Sequence, residues 1–156
     1  MDNGENIKLS AVEVHKEIDL VQSCINRMSN NSFIVKGWMI TLVAAFIALL
    51  SNKVDLYIIC ILISIIILCF WYLDAFFLKT EKLYRMKYEW IIKVRREGNI
   101  DFLYDLNPYN KLMWLPNTSD LHNVFRIMVS KTLIPFYGLP FISAITTVIL
   151  KCFKII

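Results

Sequence analysis

The sequence predicts an all-α membrane protein, and three observations predict it. Hydrophobic residues make up 57% of the 156-residue chain and charged residues 19%, against roughly 45–50% and about 25% in soluble domains. Glycine and proline number only four each, which favours long unbroken helices. Three apolar runs stand between charged flanks: "GWMITLVAAFIALLSN", "LYIICILISIIILCFWYL" and "TLIPFYGLPFISAITTVIL". About twenty apolar residues cross ~30 Å of hydrocarbon, and the first run reaches that length if Lys36 snorkels and residues 33–35 join it.

From the N-terminus, residues 1–32 read as a cytosolic amphipathic helix. They are polar and acid-bearing, without the apolar core or cleavage site of a signal peptide. Ser10 and Glu13 have capping-box spacing, and Leu9 and Val14 that of a hydrophobic staple. Val14, Ile18, Val21, Ile25 and Met28 recur every three or four residues and form one apolar stripe. That stripe packs either on its own chain or on neighbouring copies. Nothing breaks the helix before Gly37.

Residues 33–78 read as a tight transmembrane hairpin turning near residues 53–54. The second helix contains no Gly or Pro from Asp55 to Glu97, so it extends into the cytosol as a rod of ~60 Å. Phe77, Tyr84, Tyr88 and Ile91 give this extension an apolar face, and Gly98-Asn99 stops it, with Arg95 and Arg96 placed to complement the helix dipole. Residues 79–130 hold the extension and a connector whose last helix, capped by Asn117 or Ser119, feeds the third apolar segment. Residues 131–156 form that segment, kinked by Pro135, Gly138 and Pro140; a re-entrant course is the other reading.

Lys and Arg set the orientation. Residues 1–36 carry four, the hairpin link one, residues 79–131 ten, and the tail two. This places the N-terminus in the cytoplasm and, for three full crossings, the C-terminus outside.

Equal distances counted from the hairpin turn bring a collar of polar residues to the inner membrane edge: Arg27, Asn31, Lys36, Asp74, Glu81 and Arg85. Lys36 reaches Asp74, and Arg27 reaches Asp74 or Glu81. A charged side chain at such a position needs a partner and often marks function. Thr41, Ser64, Ser143, Thr146 and Thr147 are candidate pore-lining or helix-contact positions.

No catalytic constellation is present: no Walker loop, GxSxG, HExxH, EF-hand or GxGxxG. Cys24, Cys60, Cys69 and Cys152 form no CxxC and no zinc spacing with His15 or His122. The sequence therefore predicts no enzyme, metal or cofactor. The basic stretch 79–96 fits anionic lipid better than nucleic acid, because Glu81 and Glu89 interrupt it.

The blocks "CINRMSNNSFIVKGWMITL" and "FWYLDAFFLKTEKLYRMKY" resemble the small transmembrane accessory proteins of type VI-B CRISPR systems and related prokaryotic antiviral-defence membrane proteins. Matching positions include Arg27, Asn31, Lys36, Trp38, Trp71, Asp74, Glu81 and Arg85, and the resemblance covers roughly residues 20–90. It implies a homo-oligomeric inner-membrane pore or membrane-perturbing effector, linked functionally to an RNA-guided RNA nuclease. The RNase-like Arg-His motif described for some members is missing, since His122 has Arg126 after it and no Arg just before it. The alternative is a non-conducting membrane anchor that recruits a cytosolic effector through residues 79–130.

Overall fold

A computed structural model describes residues 10–50, 53–113 and 123–153. Two long helices dominate it: α1, Ala11–Leu50, and α2, Leu56–Arg96. A 3₁₀ turn at Lys111–Met113, a short α3 at Val124–Met128, a π-helical turn at Ile134–Gly138 and α4 at Leu139–Cys152 complete it. No strand occurs among the described residues.

The start of α1 is the capping box. The Ser10 amide donates to Glu13 Oε2 at 3.0 Å, and the Val12 amide donates to Ser10 Oγ at 3.3 Å. The expected Leu9 staple lies outside the described residues. The helix runs unbroken through Gly37 to Leu50, whose carbonyl accepts the Lys53 and Val54 amides at 2.9 and 3.0 Å. At the far end of α2, Gly98 takes a φ of +75°, which only glycine adopts readily. Its amide donates to Arg95 O and that of Asn99 to Val94 O, at 3.2 and 3.3 Å. This is the Schellman closure.

α1 and α2 lie antiparallel: Glu17 meets Arg95 while Lys36, further along α1, meets Asp74, earlier on α2. Two apolar clusters hold them together. One gathers Met39, Ile59, Ile63, Ile67 and Ala75 from α1 and α2 with Ile127, Leu133 and Tyr137. The other gathers Val21, Cys24 and Ile25 with Tyr84, Ile91 and Met113, flanked by Ile18 and Met28. The stripe on α1 is thus used within the chain.

The last helical region departs from the sequence expectation. It is not one helix feeding the third segment. Asn123, not Asn117 or Ser119 (both outside the described residues), caps α3, with its Oδ1 accepting the Phe125 amide at 3.0 Å. The helix ends after Met128, and Ser130 O accepts the Leu133 and Ile134 amides before a π turn begins. Pro135 accounts for the disturbance at the entry to the third segment: it has no amide for the Lys131 carbonyl four residues back, and its ring clashes with that carbonyl. The wider π turn accommodates it. Pro140 sits in the first turn of α4, where a missing amide costs little.

α4 lies beside the first half of α2. Tyr137 touches Asp74 at one end, and Thr147, Lys151 and Tyr57 line a common cleft at the other. The unit Ile134–Cys152 has 19 residues, about 28 Å of helix. It and the two long helices are each long and apolar enough to cross a membrane.

Candidate functional site

Three separate parts of the chain converge on one carboxylate. Asp74 of α2 is fully buried. Ser32 and Lys36 stand four residues apart on α1, so one helix face presents both. Ser32 Oγ donates to Asp74 Oδ1. Lys36 Nζ lies 2.6 Å from Asp74 Oδ2 and donates to Ser32 Oγ at 2.8 Å. The Tyr137 hydroxyl, also fully buried, donates to Asp74 Oδ2 at 3.0 Å. Both carboxylate oxygens are therefore occupied, and no buried side-chain polar atom among the described residues lacks a partner.

Aromatic packing encloses this group. The Trp71 indole stacks on Tyr137, with centroids 6.0 Å apart and planes 10° from parallel. Phe141 meets Trp71 edge-on at 6.5 Å, and Phe136 meets Tyr137 edge-on at 4.9 Å. Trp71 Nε1 donates to Met128 O at 3.0 Å. One turn of α2 thus holds α1 through Asp74, the start of the unit Ile134–Cys152 (the third helix of membrane-crossing length) through Asp74 and Trp71, and the end of α3 through Trp71. In an apolar surround such a charge persists only when paired and fully hydrogen-bonded. The site is a polar seal. Among the described residues no group of His, Cys, Asp and Glu side chains is placed to hold a metal ion.

The rest of the expected collar divides. Glu81 and Arg85 pair with each other along α2, Nη2 to Oε1 at 2.7 Å. Arg27 reaches neither Asp74 nor Glu81. It is exposed, and its Nη2 donates to Cys24 Sγ at 3.9 Å, one turn back on its own helix and beside Tyr84 of α2. Asn31 is half-buried beside Ser32. All five candidate lining hydroxyls bond back to their own helices: Thr41 to Gly37 O, Ser64 to Cys60 O, Ser143 to Pro140 O, Thr146 to Ile142 O and Thr147 to Ser143 O, at 2.7–3.0 Å.

A second buried ion pair lies at the other end of the two long helices. Arg95 Nε and Nη2 contact Glu17 Oε2 and Oε1 at 2.8 and 2.9 Å, with both side chains almost fully enclosed. The remaining Arg95 donors reach Asn99 O and Asp101 O, and the Tyr104 amide donates to Glu17 Oε1 at 3.0 Å. Arg95, in the last turn of α2 as the sequence placed it, therefore also organises the chain after that helix. That chain includes Phe102 and Tyr104 at positive φ, 55° and 58°. Such backbone is costly for bulky residues and holds only where the surroundings fix it.

Lys87 is similarly enclosed. Its Nζ donates to Asn107 O at 3.0 Å and lies 3.5 Å from Asp105 Oδ1. Partial burial opposes the Asp105 carboxylate, but hydrogen bonds from the Asn110 side chain and the Asn107 amide, with the Lys87 charge, outweigh it and hold its carboxyl below the usual value of 3.8. A lowered folded value stabilises the fold above the unfolded value, and that contribution disappears as pH falls through the folded one. The thermal-stability gap between the wild-type protein and Asp105→Asn should therefore be widest above pH ~5 and narrow as pH falls below the unfolded value. A gap constant across that range would contradict the assignment.

Sequence reasoning missed Tyr137, Glu17 and Lys87. The signal for the last two was present. Glu17 stands on the apolar stripe between Val14 and Val21, and Lys87 on the one between Tyr84 and Ile91. A charge within an apolar stripe calls for a buried partner.

With this geometry defined, comparison with known proteins adds no relative: no family model, curated protein or solved structure matches the chain.

Proposed function

We propose that this chain is an integral protein of the prokaryotic inner membrane, with its N-terminus in the cytoplasm, that acts as a homo-oligomeric pore or membrane-perturbing effector in antiviral defence. The observation that carries the membrane role is a set of uncovered apolar side chains on the three helices long and apolar enough to cross a membrane. Phe33, Trp38, Ile47 and Leu49 of α1, Leu56, Ile65 and Tyr72 of α2, and Leu139, Ile142 and Phe153 of the third helix all face outward. A patch of this extent on a monomer marks a membrane or partner surface. The residues at 33–78 then form the transmembrane hairpin, α2 continues into the cytosol, and the proline-bearing third segment crosses the bilayer.

Two features support assembly. The space between α1, α2 and α4 is an open groove of about 280 Å³, lined by Val43, Ile63, Ile67, Ala144 and Thr147 among others, which is no conduit within one copy. Gly37, Thr41, Ala44 and Ala48 fall on one exposed face of α1, and small residues of this kind let membrane helices approach closely. The link to an RNA-guided RNA nuclease rests on the resemblance of residues 20–90 alone.

The second reading, a non-conducting anchor for a cytosolic effector, is favoured by the five hydroxyls being satisfied by their own helices. Purified protein in detergent, followed by planar-bilayer recording, separates the two. A symmetric ring of several copies with discrete conductance steps is the expected result. A monomer or dimer that passes no current would replace the pore with the anchor.

A further inference from the structure

The groove between α1, α2 and α4 lies on the hairpin-turn side of the Asp74 seal. Val43 and Ile47 of α1, Ile63 and Ile67 of α2, and Ala144 and Thr147 of α4 are in its wall. The Ser143 and Thr147 hydroxyls on that wall donate to Pro140 O and Ser143 O of their own helix, at 2.8 and 3.0 Å, so they need no partner from a ligand. Thr147 also lines a second cleft with Leu56, Tyr57 and Lys151, and Tyr57 and Lys151 line a third beside Cys152. Through these shared residues the three spaces make one trough, apolar at Pro140 and cationic at Lys151.

The dimensions of the trough decide what fits. Its walls along residues 60–67 of α2 and 140–147 of α4 each rise about 10 Å. A volume of about 280 Å³ over that length leaves a cross-section of about 28 Å². A neighbouring helix, about 10 Å across, needs about three times that area. A single hydrocarbon chain, whose carbons keep their neighbours about 4 Å away, fits. From Pro140 to Lys151 the trough is about 16 Å long, which is one leaflet, half of the ~30 Å of hydrocarbon.

The Lys151 end carries the charge. Neither the Lys151 ammonium nor the Tyr57 hydroxyl has a hydrogen bond or ion pair among the described residues. Asp55, the N-cap of α2, is the acid of this end. It is exposed, its side chain caps no amide, and Lys53 stands two residues before it. Otherwise the sequence has no Asp or Glu from residue 20 to 54 or after Asp120, and the next acid of α2 is the enclosed Asp74. Lys53 and Lys151 thus outnumber Asp55 here. An ammonium and a phenol at the end of an apolar trough suit the phosphate of a lipid whose chain lies in it.

We propose that this trough binds one anionic phospholipid, with an acyl chain laid along α2 and α4 and its phosphate held by Lys151 and the Tyr57 hydroxyl. The inference rests on the membrane reading above and is the same for the pore and the anchor.

The test uses the full chain in neutral detergent with phosphatidylglycerol or phosphatidylcholine that carries a diazirine at the end of one acyl chain. Mass spectrometry maps the label after illumination. Phosphatidylglycerol should label Ile67, Pro140 and Ala144 in preference to the outward-facing Ile65 and Ile142. Ser143→Trp, at an exposed position on the groove wall, should remove that label and leave the label on Ile65 unchanged. One basic side chain at an anionic headgroup is worth roughly a fivefold preference, so Lys151→Gln should lower the ratio of phosphatidylglycerol to phosphatidylcholine label in the groove about fivefold. Lys151→Arg should keep the ratio, and Lys16→Gln, near the far end of α1, should leave it unchanged. Label spread evenly over Ile65, Ile67 and Ile142, or groove label unmoved by Ser143→Trp, would overturn the proposal. A wild-type ratio near one, or a ratio unmoved by Lys151→Gln, would do the same. So would a groove labelled in single copies and unlabelled in an assembled oligomer, since a second copy then covers it. A chain that stays soluble without detergent and takes label from neither lipid would overturn the membrane reading as well.

Discussion

Asp74→Lys is expected to produce the largest loss of stability of any single substitution in the protein. It places a second cation against Lys36 and leaves the Tyr137 and Ser32 hydroxyls without their acceptor. Breaking a buried pair from one side costs about 3–5 kcal/mol, and like charge in place of opposite charge adds to this. The loss should reach beyond α2, because the same carboxylate joins α1 to the third helix. Thermal unfolding in detergent should shift down sharply, and any conductance should fall with it. Adding Lys36→Asp reverses the pair, and the two hydroxyls can turn to accept from a lysine at position 74, so part of the loss should return. A double variant no better than the sum of its singles would mean that the pair is not what holds the helices. Lys36→Met should be milder than Asp74→Lys, since about a quarter of the lysine side chain, 28%, is already exposed.

The second large effect lies at the opposite end of the long helices. Glu17→Ala leaves Arg95 enclosed without its bidentate partner, and Arg95→Ala leaves Glu17 enclosed and frees the carbonyls of Asn99 and Asp101. Each should cost about 3–5 kcal/mol. The double Ala variant should cost clearly less than their sum, because neither charge is then stranded. Arg95→Lys should not rescue, since a lysine cannot reproduce the two-pronged contact to Glu17 while reaching the loop carbonyls. Protease cleavage between residues 98 and 105 reads the effect locally: wild type should resist there, and both single variants should be cut. Equal resistance in all three would show that the backbone at Phe102 and Tyr104 is held by other contacts.

Much of this architecture was legible in the sequence. The absence of Gly and Pro between Asp55 and Glu97 predicted the length of α2 nearly to the residue. The capping box located the start of α1, and distances counted from the hairpin turn brought Lys36 to Asp74. Such counting works because both helices are regular and share one short link. It fails for Tyr137, 63 residues from Asp74, since no local register relates the third segment to α2. It fails for Arg27 because depth along a helix does not specify which way a side chain points. The prolines at 135 and 140 signalled a disturbance, but whether the chain answers with a bend or a wider turn depends on packing against Trp71 and Asp74. The hydroxyls were legible as polar groups within apolar helices, while their bonding to their own backbone carbonyls is a matter of rotamer.

In the proposed topology three helices cross the bilayer side by side, with the Asp74 seal at the inner edge and Cys152 at the outer end. Membrane-impermeant maleimide tests it most directly. Cys152 is exposed at the end of α4, and a Lys131→Cys variant marks the segment beside the seal, with labelled sites identified by mass spectrometry. Spheroplasts should label Cys152 from outside without lysis, and the cysteine at 131 only after the membrane is opened. Labelling of both positions from the same side would contradict the crossing of the third helix, and with it the placement of the seal.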